Sequence, residues 1–350
     1  MNSDHNFAGA SKLSLPFIPH ERALTAERSV LQCVARARPG EFVWLVAPSW
    51  SGKSELRRRL LPVLAGNPAY WPAGGIPLIS VRAVLNNGDK FNPKDFALRL
   101  HQEITEPEVG WLADGSGAGS PDRFHEAAEQ RAALPFWTET RRRMPERELR
   151  LSFERMSKVR GLKYIIVDEV ANFCRVAKSQ SARNYMLGVM ALIEEIGCVG
   201  IMLGTHEASP LYENAQEILN RSEVVYMRPY DVSDRADLEA YATLIKAVGC
   251  SFPLDSGSLL QENLELIVLN GGGIFGPTLR YLRRANEVRC REGCATLKAS
   301  HLILASGSAR THSSFWADID AFNLVANASP ATKLSDFVKI RQRSSYSSAR

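Results

Sequence analysis

Residues 41 to 54, EFVWLVAPSWSGKS, constrain this chain more than any other stretch. Phe42 to Val46 form an apolar run of the length and β-propensity of a buried strand, and the run breaks at Ala47-Pro48. A short polar loop then leads through Gly52-Lys53-Ser54 into SELRRRLLPVLAG, which reads as a helix. A strand, a glycine-containing loop and a helix N-terminus in that order present backbone N–H groups and the positive end of a helix dipole to one point. An anion with several oxygens suits that point.

This is the P-loop arrangement, with Ala47 standing where the first glycine of G-x-x-x-x-G-K-[ST] falls. One added methyl is tolerated there if the position does not need a positive φ. Ala47, Pro48, Ser49, Trp50, Ser51, Gly52, Lys53, Ser54 and Glu55 are the expected phosphate-binding residues. Within them, Lys53 supplies a point charge near the β- and γ-phosphates, and the Ser54 hydroxyl is a ligand for Mg2+.

The rest of the chain repeats the strand-then-helix rhythm. IPLISVRAVLNN is an apolar strand, and NPKDFALRLHQEI an amphipathic helix with Pro93 in its first turn. ERELRLSFERMSKVRG is a charged helix leading into the strand Tyr164 to Val167, with Asp168-Glu169 at its C-terminal edge. SARNYMLGVMALIEEIG and the strand Val199 to Leu203 follow, then LYENAQEILN as one helix and Glu223 to Met227 as a last strand. Such alternation predicts a parallel sheet flanked by helices, whose ligand lies at the strands' C-terminal ends. An acidic pair at that edge fits Mg2+ held through water by Asp168, and a water activated or oriented by Glu169.

Residues 105 to about 145 interrupt the rhythm with a flexible-loop composition, ADGSGAGSPD, and end in Arg141-Arg142-Arg143. The insertion is either a charged surface for a partner or a lid. After Asp231 the strand pattern fades into three helices, SDRADLEAYATLIKAVG, GSLLQENLELIVLNGGG and GPTLRYLRRANEVRCREG, as in a small all-helical domain. The expected boundaries are an arm over 1–21, an α/β domain over 22–230, a helical lid over 231–305 and a partner-binding or disordered tail over 306–350. Phe315, Trp316 and Phe322 in that tail dock either on a partner or back on the chain, and Phe17, Ile18 and Pro19 are placed to line a base pocket.

At 350 residues the chain is long enough for one large domain and a smaller one. No apolar stretch reaches membrane-spanning length, the first twenty residues lack the apolar core of a secretory signal, and a cytoplasmic location is expected. Six cysteines at 33, 174, 198, 250, 290 and 294 lack zinc spacing and read as reduced thiols. The formal charge of +5 is modest but locally concentrated, at Arg57 to Arg59, at Arg280 with Arg283-Arg284, and from Lys339 to Arg343.

Lys53 in APSWSGKS, Asp168-Glu169 in YIIVDE, Thr205 in IMLGTHEA, Arg221 in ILNRSE and Arg280 in GPTLRYLRRA stand in the order of Walker A, Walker B, sensor 1, arginine finger and sensor 2. That series resembles AAA+ ATPases, and the wording VDEVANF, LGTHEA and LNRSEVVYMRPY is similar to transposon-encoded regulators of the TniB and TnsC type. The resemblance covers roughly residues 22 to 300. It implies ATP and Mg2+ as cofactors, hydrolysis served by Glu169, Thr205, Arg221 and Arg280, and homo-oligomeric rings or filaments on double-stranded DNA. It further implies a DDE transposase and a target-selection adaptor as partners. Arg221 of one subunit would complete the charge around the γ-phosphate held by its neighbour. Lys90, Lys94 and Arg99 are the first choice for DNA phosphates, with a solvated helix face as the equal alternative. A replication initiator or loader shares the motif order, and a nucleotide-bound scaffold without turnover is the other alternative.

Overall fold

The computed structural model describes residues 20–86, 88–112, 142–176 and 181–327. The proposed base-pocket residues Phe17, Ile18 and Pro19, most of the insertion including Arg141, and the basic tail from Lys339 lie outside the described residues.

Among the described residues, five strands make one parallel sheet: β1 (Phe42–Val46), β2 (Leu78–Arg82), β3 (Tyr164–Asp168), β4 (Val199–Gly204) and β5 (Ser222–Tyr226). Their spatial order is β2-β3-β4-β1-β5. β1 is thus flanked on both sides, and its registers run from Phe42 opposite Gly200 and Ser222 to Val46 opposite Gly204 and Tyr226. All five of its side chains are fully buried. They divide between two cores, since successive strand residues face opposite sides of a sheet. Phe42, Trp44 and Val46 join the larger core with Phe153, Phe173 and Met202, whereas Val43 and Leu45 pack with Val30, Leu56 and Leu60. A continuous apolar run is what a strand covered on both faces requires.

The helices that cover those faces are α1 (Glu21–Arg36), α2 (Lys53–Ala65), α3 (Pro93–Thr105), α4 (Glu146–Arg160) and α5 (Ala182–Ile196). Local chemistry explains their ends. The Asn92 side chain accepts from the Lys94 amide ahead of α3, with Pro93 preset for the first turn. Gly161 and Gly197 close α4 and α5 at φ of 66° and 78°.

Two predicted helices are each split. LYENAQEILN forms two short turns, Ser209–Glu213 and Gln216–Leu219, because Ala215 takes an extended conformation between them. In the second, Asn263 separates Leu259–Glu262 from α7 (Leu264–Gly271), and its side-chain amide donates back to the Leu259 carbonyl. The helical region also contains α6 (Arg235–Gly249), α8 (Phe275–Arg291) and α9 (Ala299–Ala305), packed around Tyr241, Leu282 and Leu302.

From residue 309 the chain departs from the expected tail. Ser308 caps α10 (Ala309–Ala326) by accepting from the Thr311 amide. Phe322 of α10 is fully buried in the larger sheet core, and Arg228 donates to the Ala326 carbonyl at 2.6 Å. Of the two dockings open for Phe315, Trp316 and Phe322, this helix takes the one on its own chain. No helix among the described residues is long and apolar enough to cross a membrane.

Candidate nucleotide site

β1 delivers the chain to the sheet's C-terminal edge, where the Ala47 amide donates to the Gly204 carbonyl at 3.1 Å. Ala47 is buried and outside the positive-φ residues, so the methyl in place of the usual glycine is accommodated without backbone strain. The left-handed conformations fall further on, at Trp50 (φ 63°) and Gly52 (φ 100°). Gly52 is the N-cap of α2; its carbonyl accepts the Glu55 and Leu56 amides at 3.0 Å, which leaves the Lys53 and Ser54 amides as the first-turn donors without a partner in the helix. Ser49, Trp50 and Ser54 are exposed around this turn. Ser51 is buried, and its hydroxyl has no hydrogen-bond partner. Glu55 pairs with Arg58 at 2.6 Å.

The Lys53 ammonium folds back over the loop, donating to the Ala47 and Pro48 carbonyls at 3.0 and 2.7 Å. Burial pushes its pKa down to about 8, against the opposing attraction of Asp168, Asp318 and Glu169. A cation partly stripped of water and held by neutral carbonyls is primed for an anionic partner.

Two strands away, β3 ends at Asp168, which is 3 % exposed. Its Oδ1 accepts the Glu169 amide at 2.9 Å, while Oδ2 has no hydrogen-bond partner and lies 3.8 Å from Arg57 Nε. A buried carboxylate oxygen with spare capacity, facing Arg57 of the helix whose N-terminus carries the exposed Ser54 hydroxyl, fits Mg2+ chemistry. Asp168 and Ser54 are the residues that would hold the ion. Glu169 follows at φ 59°, a strained backbone for a residue with a Cβ, and its exposed carboxylate lies 3.4 Å from Arg82 of β2.

Between these two strands β4 ends, placing half-buried Thr205 one residue past the pairing of Val46 with Gly204. His206 comes next, with Nε2 4.0 Å from Asp318 Oδ1 of α10. Arg280, in the second turn of α8, places its guanidinium 5.4 Å above the Trp50 ring, within cation–π range. Lys53, Asp168, Glu169, Thr205 and Arg280 therefore converge on one edge.

Arg221 does not join them. It precedes β5, its carbonyl accepts the Phe42 amide at 2.7 Å, and it therefore sits at the opposite end of the sheet from its own P-loop. There its guanidinium pairs with Glu194 at 2.9 Å, and that bond raises its pKa. Lys90 lies in the loop after β2, and Lys94 and Arg99 lie on α3, whose Phe96 and Leu100 pack over the sheet; Lys90 and Arg99 are exposed and Lys94 half-buried.

Sequence reasoning missed three contributors. A narrow, open cleft adjoins Pro48 and Ser51, and His20, Arg22, Arg228, Tyr230, Ile274 and Phe275 line it. The His20 ring stacks on Phe275 with centroids 5.4 Å apart, and burial lowers its pKa to about 4, so it is a neutral aromatic wall at pH 7. An aromatic wall beside a phosphate cradle offers a face on which a base could stack. Arg82 and Asp318 are the other two. Arg82 falls in the middle of the predicted strand IPLISVRAVLNN, and only the structure, which ends β2 at Arg82, puts it at the sheet edge.

A second cluster, Glu292, Cys294 and His301, has donor atoms within 4.8 Å of one another. His301 Nδ1 accepts the Lys298 amide at 2.9 Å, so the proton sits on Nε2, 3.1 Å from Glu292, and no lone pair is left for a metal. This cluster is structural.

No family model matches the chain, and no curated protein matches it. Solved structures do. The ORC1 protein of Aeropyrum pernix, solved in complex with DNA, is similar with a TM-score of 0.50 and 15% identity, over 83% of this chain and 65% of that one. The ORC2 protein of the same organism, in ADPNP and ADP complexes, gives 0.50 and 13%, over 86% and 73%. The chain thus spans a little under two thirds of the ORC1 length. At such identities the likeness shows the fold alone: a parallel five-stranded sheet flanked by helices and followed by a helical region.

Proposed function

We propose that the protein is an ATPase that binds Mg-ATP at the β1 loop and assembles with ATP into homo-oligomers on double-stranded DNA, as a regulator of DNA transposition. The observation that carries nucleotide binding is the convergence of Lys53, the free Lys53 and Ser54 amides at the start of α2 and the partnerless oxygen of Asp168 at one sheet edge. ATP supplies the charge those groups match, and Mg2+ held by Ser54 and Asp168 would screen its phosphates. Glu169 is the group for orienting or deprotonating a water, and Thr205 and Arg280 are the polar contacts to the terminal phosphate.

Assembly is supported by the position of Arg221. Half-exposed, and at the far end of the sheet from its own P-loop, it has the placement of a group offered to a neighbour's γ-phosphate. ATP then bridges subunits, and hydrolysis removes the bridge. The transposition role, with a transposase and an adaptor as partners, rests on the sequence resemblance to TniB- and TnsC-type regulators. DNA contact through Lys90, Lys94 and Arg99 is part of the same reading, and it predicts steep salt dependence with little base preference. An initiator or loader ATPase is the second reading, favoured by the fold shared with the ORC1 and ORC2 proteins.

Negative-stain imaging and ATP turnover, each with and without duplex DNA, test the proposal. Lys53→Ala should abolish nucleotide binding, Glu169→Gln should trap the ATP-bound assembly, and Arg221→Ala should bind ATP yet stay monomeric. Wild-type protein that remains monomeric on DNA at saturating ATP would overturn the assembly reading. Turnover with DNA-bound rings but no association with a transposase would favour the loader.

A further inference from the structure

We infer that Asp318 of α10 is a residue of the triphosphate cleft, where its carboxylate competes with the terminal phosphate and so tilts the site toward nucleoside diphosphate. The inference rests on the nucleotide site proposed above and adds to it a group from the far C-terminal side of the chain.

The position of Asp318 is fixed at both ends of its helix. On the lid side, the Trp316 indole donates to the Leu269 carbonyl at 3.1 Å, and Phe315 and Ile319 press on Gly272 so closely that a Cβ there would overlap the Ile319 methyl. On the sheet side, Phe322 is fully buried, with its ring 6.3 Å from that of Tyr226, and Arg228 holds the Ala326 carbonyl. Residues four apart share a helix face. Phe322 faces the sheet domain, so Asp318 one turn earlier faces it too, and its Oδ1 comes 4.0 Å from His206 Nε2. His206 immediately follows Thr205 at the end of β4, beside the strand that delivers Lys53.

The electrostatics agree with the geometry. Among the charges that act on Lys53, Asp318 ranks behind Asp168 and ahead of Glu169. The cleft therefore holds three carboxylates, Asp168, Glu169 and Asp318, facing Lys53, Arg57, Arg82 and Arg280. Asp168 is accounted for by Mg2+ and Glu169 by the attacking water, whereas Asp318 meets the phosphates with no metal to offset it. Diphosphate leaves that region to Asp318 and the cations, while triphosphate brings a like charge beside the carboxylate. Because α10 is pinned to both the lid and the sheet, relief requires the helix to shift, so triphosphate binding also loosens α10.

The test compares full-length wild type with Asp318→Asn. Fluorescent ADP and a non-hydrolysable ATP analogue are titrated with Mg2+, and α10 is probed by limited proteolysis. Asp318→Asn is expected to tighten the ATP analogue by roughly threefold to tenfold, as one half-exposed charge in a cleft would, and to change ADP by less than about twofold. Asp318→Glu should resemble wild type, and the analogue should speed cleavage within 309–326 in wild type more than in Asp318→Asn. Equal shifts for both nucleotides, or none, at unchanged melting temperature would overturn the inference while leaving the nucleotide site intact. Wild type that binds neither nucleotide would remove both.

Discussion

Raising the pH from 7 to 9 should weaken nucleotide binding about tenfold, because Lys53 loses its proton in the free protein across that range. Burial holds its pKa down at about 8 even with Asp168, Asp318 and Glu169 nearby. At pH 7 about nine-tenths of the free protein carries the charge, and at pH 9 about one-tenth does. Bound phosphates stabilise the ammonium and raise its pKa, so the bound state keeps its proton. Affinity then follows the charged fraction of the free protein, and the ratio corresponds to about 1.4 kcal/mol. Titration calorimetry at pH 7, 8 and 9 in buffers of different ionisation enthalpy reads both the affinity and the proton taken up on binding. Lys53→Arg, whose charge does not titrate, should show neither change. A wild-type affinity that stays flat to pH 9, with no proton uptake at pH 8.5, would refute the reasoning and place Lys53 at the ordinary lysine value.

Three further outcomes follow from named contacts. His20 is neutral when folded because burial holds its pKa near 4 against 6.5 unfolded; the unfolded chain gains a proton first, and stability should fall from about pH 6.5 to pH 4, by up to roughly 3 kcal/mol. Melting curves of wild type and His20→Phe across that window should converge in slope only if this reasoning fails. Gly188→Ala, in α5 with Arg150 at an ordinary 3.5 Å, should raise stability by about 0.5–1 kcal/mol, whereas Gly276→Ala, whose Cβ would overlap the Trp50 carbonyl, should lower it by about 1–3 kcal/mol and weaken nucleotide binding. Denaturant titrations that rank the two alanines alike would contradict the close approach of α8 to the loop. Phe322→Ala should cost about 3–5 kcal/mol by leaving a cavity under α10, measured as a drop in the denaturation midpoint.

How far the sequence could be read depended on the distance over which each feature is determined. β1, its loop and α2 were legible because the apolar run, Gly52 and the helix face are local, and Asp168-Glu169 because an acidic pair ends an apolar strand. Strand order was not legible, since β1 takes both of its neighbours from far along the chain. α10 reads as polar with scattered aromatics; its Ser308 cap is local, but its packing on Leu269, Tyr226 and Arg228 is not. Asp318 was invisible for the same reason. His20 and Tyr230 become a wall of one cleft only when the lid brings Phe275 against them. Asn263 had the opposite problem, a local hydrogen bond overriding an otherwise continuous helical pattern.

The flanking of β1 bears on how the protein is made. Phe42 leaves the ribosome long before Gly200 and Ser222, the residues it must lie beside. Until β4 and β5 have emerged, a nascent chain carries FVWLV with neither edge satisfied, a segment with every attribute of a sticky strand. The same architecture that roots the phosphate loop so firmly in the finished molecule leaves its root exposed through most of synthesis, so production should respond to chaperone supply and to slower translation before residue 226.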